Sequence, residues 1–187
     1  MIRRSLRSTI LLATVVPTLY AAPQTAPADK TSTSVMTEAK VLTAQEATKF
    51  LPSAVFFQGQ TAPIQARNSG GVQFTKDSLF LVTLVDTAGY SSSVQQKYQA
   101  YLITETQIDI EGHRLDPGSY GCGFIAGNTF VVMDIGGHDI FSVGSARDAD
   151  LRRPMPLQVL PAPDGPGYRF YVGRAYVHFA QSSPAMH

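Results

Sequence analysis

The chain has 187 residues, with 15 basic and 14 acidic side chains, a formal net charge of +1 and a single cysteine, Cys122. That length suits one domain with a sizeable core, the even charge gives no electrostatic ground for nucleic acid or anionic lipid as a partner, and one cysteine excludes an internal disulfide. The sequence holds no phosphate-binding P-loop, no G-x-G-x-x-G, no C-x-x-C and no H-E-x-x-H, so nucleotide chemistry and the common zinc hydrolases lack their usual support.

The chain opens with a basic head, MIRRSLRST, followed by an apolar run from Ile10 to Ala22 that contains Pro17. This is the layout of a secretory signal peptide, with cleavage expected near Ala21 or Ala22, and the run is far short of the roughly 20 residues that a bilayer-spanning helix needs. Arg3 and Arg4 also fit a twin-arginine signal, the export route for folded proteins. Residues 1–22 are therefore predicted as a signal peptide and the protein as periplasmic or secreted. Their removal takes Arg3, Arg4 and Arg7, so 15 minus 3 leaves 12 basic groups against 14 acidic ones, a formal charge of −2. No membrane span is expected after cleavage, since the best later apolar run, Leu79 to Val85, is too short.

Residues 23–40 are predicted as a flexible leader, because Pro23 to Ser34 has hardly an apolar side chain to offset the entropy of ordering its backbone. Thr43 followed by Glu46 is a capping-box pattern, which predicts a short helix from Ala44 to Leu51, stopped by Pro52. No other helix is expected.

Beyond Pro52, Val, Phe, Tyr, Ile and Thr gather in short runs punctuated by Gly, Pro, Asn, Asp and Ser. Strands are predicted near Ala54 to Gln60, Pro63 to Ala66, Val72 to Thr75, Leu79 to Val85, Tyr98 to Glu105, Gln107 to Ile110, Ser119 to Ile125, Thr129 to Met133, Ile140 to Val143, Leu157 to Leu160 and Tyr168 to Phe179. Asn68 to Gly71, Glu111 to Gly112, Ala126 to Asn128 and Pro161 to Gly167 are the expected turns. So many strands exceed one flat sheet. The predicted fold class is all-β: a two-sheet antiparallel β-sandwich, or a partly closed barrel, over residues 41–181, with a disordered tail at 182–187.

Side-chain parity sharpens two strands. Tyr120, Cys122 and Phe124 share one face and Gly121 and Gly123 the other, which sends the thiol inward. A glycine face of that kind could admit a flat ligand such as a sugar, with Tyr98, Tyr101 or Tyr171 stacking on it, although strand glycines more often mark close internal packing. In the last strand, Tyr168, Phe170 and Val172 keep one parity and Ala175, Val177 and Phe179 the opposite one. A β-bulge at Gly173 is expected to return both sets to the core.

The stretch from Ile108 to Tyr120, IDIEGHRLDPGSY, resembles the strand, turn and L-x-P-G-x-Y strand opening of many exported bacterial β-sandwich modules. The resemblance covers these residues alone and carries no catalytic meaning. Pro117 and Gly118 set up the turn, and Tyr120 begins the inward-facing row.

Candidate chemistry is sparse. In MDIGGHDIFSV, His138 with Asp134 or Asp139, joined by His113 from the Glu111 to Arg114 turn, could ligate a divalent metal, since imidazole and carboxylate are normal zinc ligands. The plainer account is a turn in which Gly136 and Gly137 take positive φ and Asp139 bonds its own backbone, because the spacing matches no established metal motif. His178, between Val177 and Phe179, is expected to face solvent or the opposite sheet surface, as a structural residue.

The densest charge cluster is SARDADLRRP, where Arg147, Asp148, Asp150, Arg152 and Arg153 lie in a segment without a strand pattern. Its arginines could present forked donors to a carboxylate, phosphate or acidic sugar, or its aspartates could bind Ca²⁺. Otherwise it is a solvated loop whose charges pair with one another. GYSSSV lacks the second glycine of a nucleophile elbow and no helix is expected after it, and an inward-facing Cys122 lacks the setting of a reactive thiol.

The sequence predicts an exported, non-catalytic ligand-binding or protein-interaction module of the periplasm or cell envelope, its partner a small ligand, a glycan or an envelope protein. The competing expectation is a metal-dependent hydrolase built on His113, His138 and Asp139, with a divalent metal as its cofactor.

Overall fold

The computed structural model describes residues 39–182. The predicted signal peptide, nearly all of the leader and nearly all of the tail lie outside the described residues. In chain order the elements are β1 (Lys40–Leu42), α1 (Ala44–Ala47), β2 (Ala54–Phe57), β3 (Gln60–Thr75), β4 (Ser78–Val85), α2 (Ser92–Lys97), β5 (Ala100–Thr104) and β6 (Ile108–Ile110). There follow β7 (His113–Leu115), β8 (Gly118–Ile125), β9 (Thr129–Met133), β10 (Asp139–Gly144), β11 (Ala146–Arg147), β12 (Gln158–Pro161), β13 (Tyr168–Val172) and β14 (Ala175–Gln181). No helix among the described residues is long and apolar enough to cross a membrane.

The strands form two antiparallel sheets. One has eight strands in the order β1-β3-β4-β5-β8-β9-β10, with β2 also paired to β3, and the other has six in the order β12-β13-β14-β6-β7, with β11 paired to β14. The architecture is the expected sandwich and not a closed barrel. Period-two alternation builds its main core: Val72, Phe80, Leu102, Cys122 and Val132 from the larger sheet meet Ile108, Val159, Phe170, Val177 and Phe179 from the smaller one. Phe80 and Phe179 stack across the gap with ring centroids 4.1 Å apart. Each such fully buried aromatic or aliphatic side chain contributes roughly 1.5–3 kcal/mol.

The apolar run of β4 has a separate explanation, because that strand is covered on both faces. Phe80 and Val82 face the smaller sheet, while Leu79 and Leu81 pack against Leu42, Ala47 and Leu51 beneath α1. A further aromatic cluster, including Phe57, Tyr90, Tyr98 and Tyr101, packs with Val131 and Met133. Phe57 stacks on Tyr98 at 3.9 Å.

Four expectations need correction. The capping box of α1 is present, with Thr43 Oγ1 accepting from Glu46 N and Glu46 Oε2 from Thr43 N, but the α-helix ends at Ala47 and continues as turns to Leu51. Asn68 to Gly71 is not a turn but the middle of β3, which runs from Gln60 to Thr75 and absorbs a register shift between Ile64 and Ser69. Gly71 is needed there for close approach rather than turning: a Cβ at that position would lie 2.3 Å from Phe80 O. The GYSSSV stretch leads into α2, so a second short helix exists where none was expected. The last predicted strand is two strands, because Gly173, at φ +62° and followed by Arg174, makes a tight hairpin turn instead of a bulge. Phe170 then stands opposite Val177, and Tyr168 opposite Phe179, which explains the parity flip in the sequence.

Candidate functional site

The β13–β14 hairpin also arranges its outward-facing side chains. With Phe170 and Val177 in the core, alternation turns Arg169 and Tyr171 of β13, and Tyr176 and His178 of β14, to the outer face of the smaller sheet. Register pairs Arg169 with His178 and Tyr171 with Tyr176, so the four side chains form one patch.

Arginine on an outer sheet face is ordinarily solvated, yet the Arg169 side chain is only 10% exposed. Two carboxylates and two aromatic rings surround it. Arg169 Nη2 donates to Asp164 Oδ2 at 2.8 Å, Nη1 donates to Tyr171 Oη at 3.4 Å and lies 3.6 Å from Asp148 Oδ2, and the guanidinium carbon sits 4.2 Å from the Tyr176 ring centroid. Tyr171 Oη in turn donates to Asp148 Oδ2 at 3.0 Å. Burial opposes the charge on Arg169, but hydrogen bonds to Tyr171 and Asp164 outweigh it and hold the pKa above the ordinary value. Asp164 is held below the usual carboxylate range by its own backbone N–H and by Arg169. Burial raises the Tyr171 phenol, so it stays a neutral donor.

Arg169 contributes to the walls of two open depressions of about 440 Å³ each. One also has Glu111, Asp164, Tyr176 and His178 in its wall, and the other Asp148, Asp150, Arg152 and Tyr171. The second depends on a strap, residues 148–156, clamped around the hairpin turn. Asp148 N donates to Arg174 O at 2.9 Å, Arg174 Nη1 donates to the carbonyls of Asp148 and Ala149 at 3.0 and 2.8 Å, and Gly173 N donates to Met155 O at 3.1 Å. The first depression is bounded by the loop before β13. There His178 Nε2 lies 2.8 Å from Pro166 O, and His178 N donates to Glu111 Oε1 at 2.6 Å, so His178, on the face opposite the core, ties two loops together as a structural residue.

Of the charged residues singled out in the sequence, the fold brings Asp148, Asp150 and Arg152 to one depression. Arg147 lies on β11 opposite Ala175, exposed, and Arg153 is exposed at the far end of the strap, where its carbonyl accepts from Gln158 Nε2 at 3.5 Å. The segment is thus not without strand, since β11 begins it. Its best-buried charge, Asp148, pairs with Arg169 of β13 and not with a neighbour in the loop.

The metal candidates do not converge. His113 stacks on Phe141 at 5.2 Å, His138 Nδ1 pairs with Asp134 Oδ2 at 3.0 Å, and Asp139 Oδ2 takes an ion pair from Lys97 Nζ at 2.6 Å. Among the described residues no group of three or more His, Cys, Asp or Glu is placed to hold a metal ion. The segment does turn between β9 and β10, but Gly137 alone of the two glycines takes positive φ, at +86°, and the aspartate bonding the turn backbone is Asp134, which accepts from His138 N at 2.9 Å.

Cys122 is fully buried, and burial raises its thiol far above the usual range, which leaves it inert. The glycine face behind it is occupied by the protein itself. A Cβ on Gly121 would stand 2.3 Å from the Phe57 ring and one on Gly123 would stand 2.1 Å from Lys97 O, so no sugar can lie there.

Sequence reasoning missed Arg169, Asp164 and Tyr176. The available signal was the opposite parity of Arg169 and Tyr171 to Phe170, but a charged residue of outward parity reads as solvated until the loops that cover it are known. Chemically the patch offers a fixed, forked cation on the Tyr176 ring face, its donors turned to carboxylates. No family model matches the chain, and comparison with curated proteins and with solved structures finds no match either.

Proposed function

We propose that the protein is an exported, non-catalytic binding module of the periplasm or cell envelope, holding an acidic small ligand or acidic glycan on the outer face of its six-stranded sheet. Arg169 carries this reading. A nearly buried guanidinium shared by two adjacent depressions provides a preorganised anion contact, while Arg152 beside it and Arg153 farther along the strap supply further positive charge. The depressions are broad and face solvent, which suits a glycan lying along a surface better than a substrate enclosed for reaction. Loops on a rigid β scaffold are where binding residues concentrate, and each depression has a loop in its wall beside the strands, residues 164–166 in one and 148–152 in the other.

Isothermal titration calorimetry with a short oligogalacturonate, against a neutral oligosaccharide of equal length, tests the proposal. The acidic oligomer is expected to bind, the neutral one not to bind, and the double variant Arg152→Glu, Arg153→Glu to lose the acidic ligand. Unchanged binding by that variant, or equal binding of the neutral sugar, would refute it.

A further inference from the structure

The two carboxylates on Arg169 are not equivalent. Asp148 is 19% exposed, receives the Tyr171 hydroxyl and belongs to the strap held by Arg174. Asp164 is 68% exposed and sits on the Pro-rich and Gly-rich loop PAPDGPG, whose tip at Gly165 has open space around it. Its carboxylate accepts from Arg169 Nη2. Asp148 therefore belongs to the framework, whereas Asp164, open to solvent, is the carboxylate on Arg169 that a ligand can reach and replace, provided that it pairs the nearly buried guanidinium in turn.

We infer that Asp164 is a built-in competitor, its carboxylate occupying the point on Arg169 where a ligand carboxylate docks, and that the ligand is accordingly a carboxylate-bearing molecule such as a uronic-acid glycan. The inference rests on the binding reading above and adds the ligand's class and its gate. The protein's own side chain is the template: the Nη2 edge, with the Tyr176 ring beneath the guanidinium, already accommodates a carboxylate at 2.8 Å. A ligand takes that hydrogen bond over as the loop tip swings aside. Asp148 remains in place, keeping Arg169 oriented while the exchange occurs.

The test compares oligogalacturonate binding by the full mature chain with that of Asp164→Ala and Asp164→Asn, each checked by thermal melting. Removing the competitor is expected to tighten binding roughly two- to fivefold, the equivalent of one weak surface pair, and to lower the melting temperature of the free protein, since it leaves the nearly buried Arg169 with Asp148 as its one carboxylate. Binding by the variants where the natural chain shows none also supports the inference. If the natural chain binds and both variants bind equally or more weakly, the competitor role is overturned and the binding reading stands. If no form binds, both fall. Tighter binding of inorganic phosphate than of oligogalacturonate would overturn the carboxylate assignment.

Discussion

Gly123 illustrates how little room the protein leaves on the side of β8 away from the main core. Its missing side chain lets the Lys97 carbonyl approach to within 2.1 Å of where a Cβ would be, and because that neighbour is backbone at the end of α2, it cannot rotate away. Gly123→Ala is expected to destabilise the fold by about 1–3 kcal/mol through overpacking, read as a lower urea midpoint with an unchanged slope. An unaltered midpoint would mean that α2 floats free of the sheet. Cys122, one position earlier, shows the other side of the same alternation. Its inward placement was legible from sequence because the pleat alone determines it. Arg169 obeyed the same rule and was overlooked, since a charged residue of outward parity looks solvated until the loops that cover it are known.

Short elements here depend on their ends. The helix α1 has a single turn, and its capping box is what defines it. The hydrogen bond from Lys40, and then those from the backbone and hydroxyl of Thr43, hold the Glu46 carboxyl down to about 2 from an ordinary 4.5. A carboxyl depressed in the folded state adds stability that is complete above about pH 4.5 and is lost as pH falls towards about 2. The natural chain should thus exceed Glu46→Gln in urea midpoint near neutrality, with the gap closing across that acidic window. A gap independent of pH would contradict the assignment. Thr43 and Glu46 advertised this cap from sequence, and the expected helix ran too long because Pro52 was taken as its stop while Thr48 to Leu51 had already left the α-helix. The hairpin at Gly173 failed for a comparable reason: a turn of two residues and a bulge of one both flip parity, and only the pairing partner tells them apart.

At the scale of the whole molecule, alternation carried the fold class, since apolar residues at period two must be buried between two sheets, whichever strands pair. Strand order and the crossing strap were not legible, because each depends on contacts between residues distant in sequence. The site followed that divide. Asp148, Asp150 and Arg152 stood out as a local charge cluster, but their partner Arg169 lies far along the chain and is joined to Asp148 only by the fold. The proposed export is tested on the chain as a whole. Sequencing of the protein recovered from the periplasm or culture medium should begin near Pro23, and recovery in the cytoplasm with Met1 retained would refute export.

The binding reading is tested most directly by following the Nε–Hε signal of Arg169, assigned with Arg169→Lys, in ¹H–¹⁵N spectra during titration with oligogalacturonate. The account predicts that this signal shifts together with the backbone amides of residues 148–153 and 164–167. Shifts confined to another surface, such as the turn from Asp134 to Asp139, with Arg169 unmoved at saturation, would contradict it.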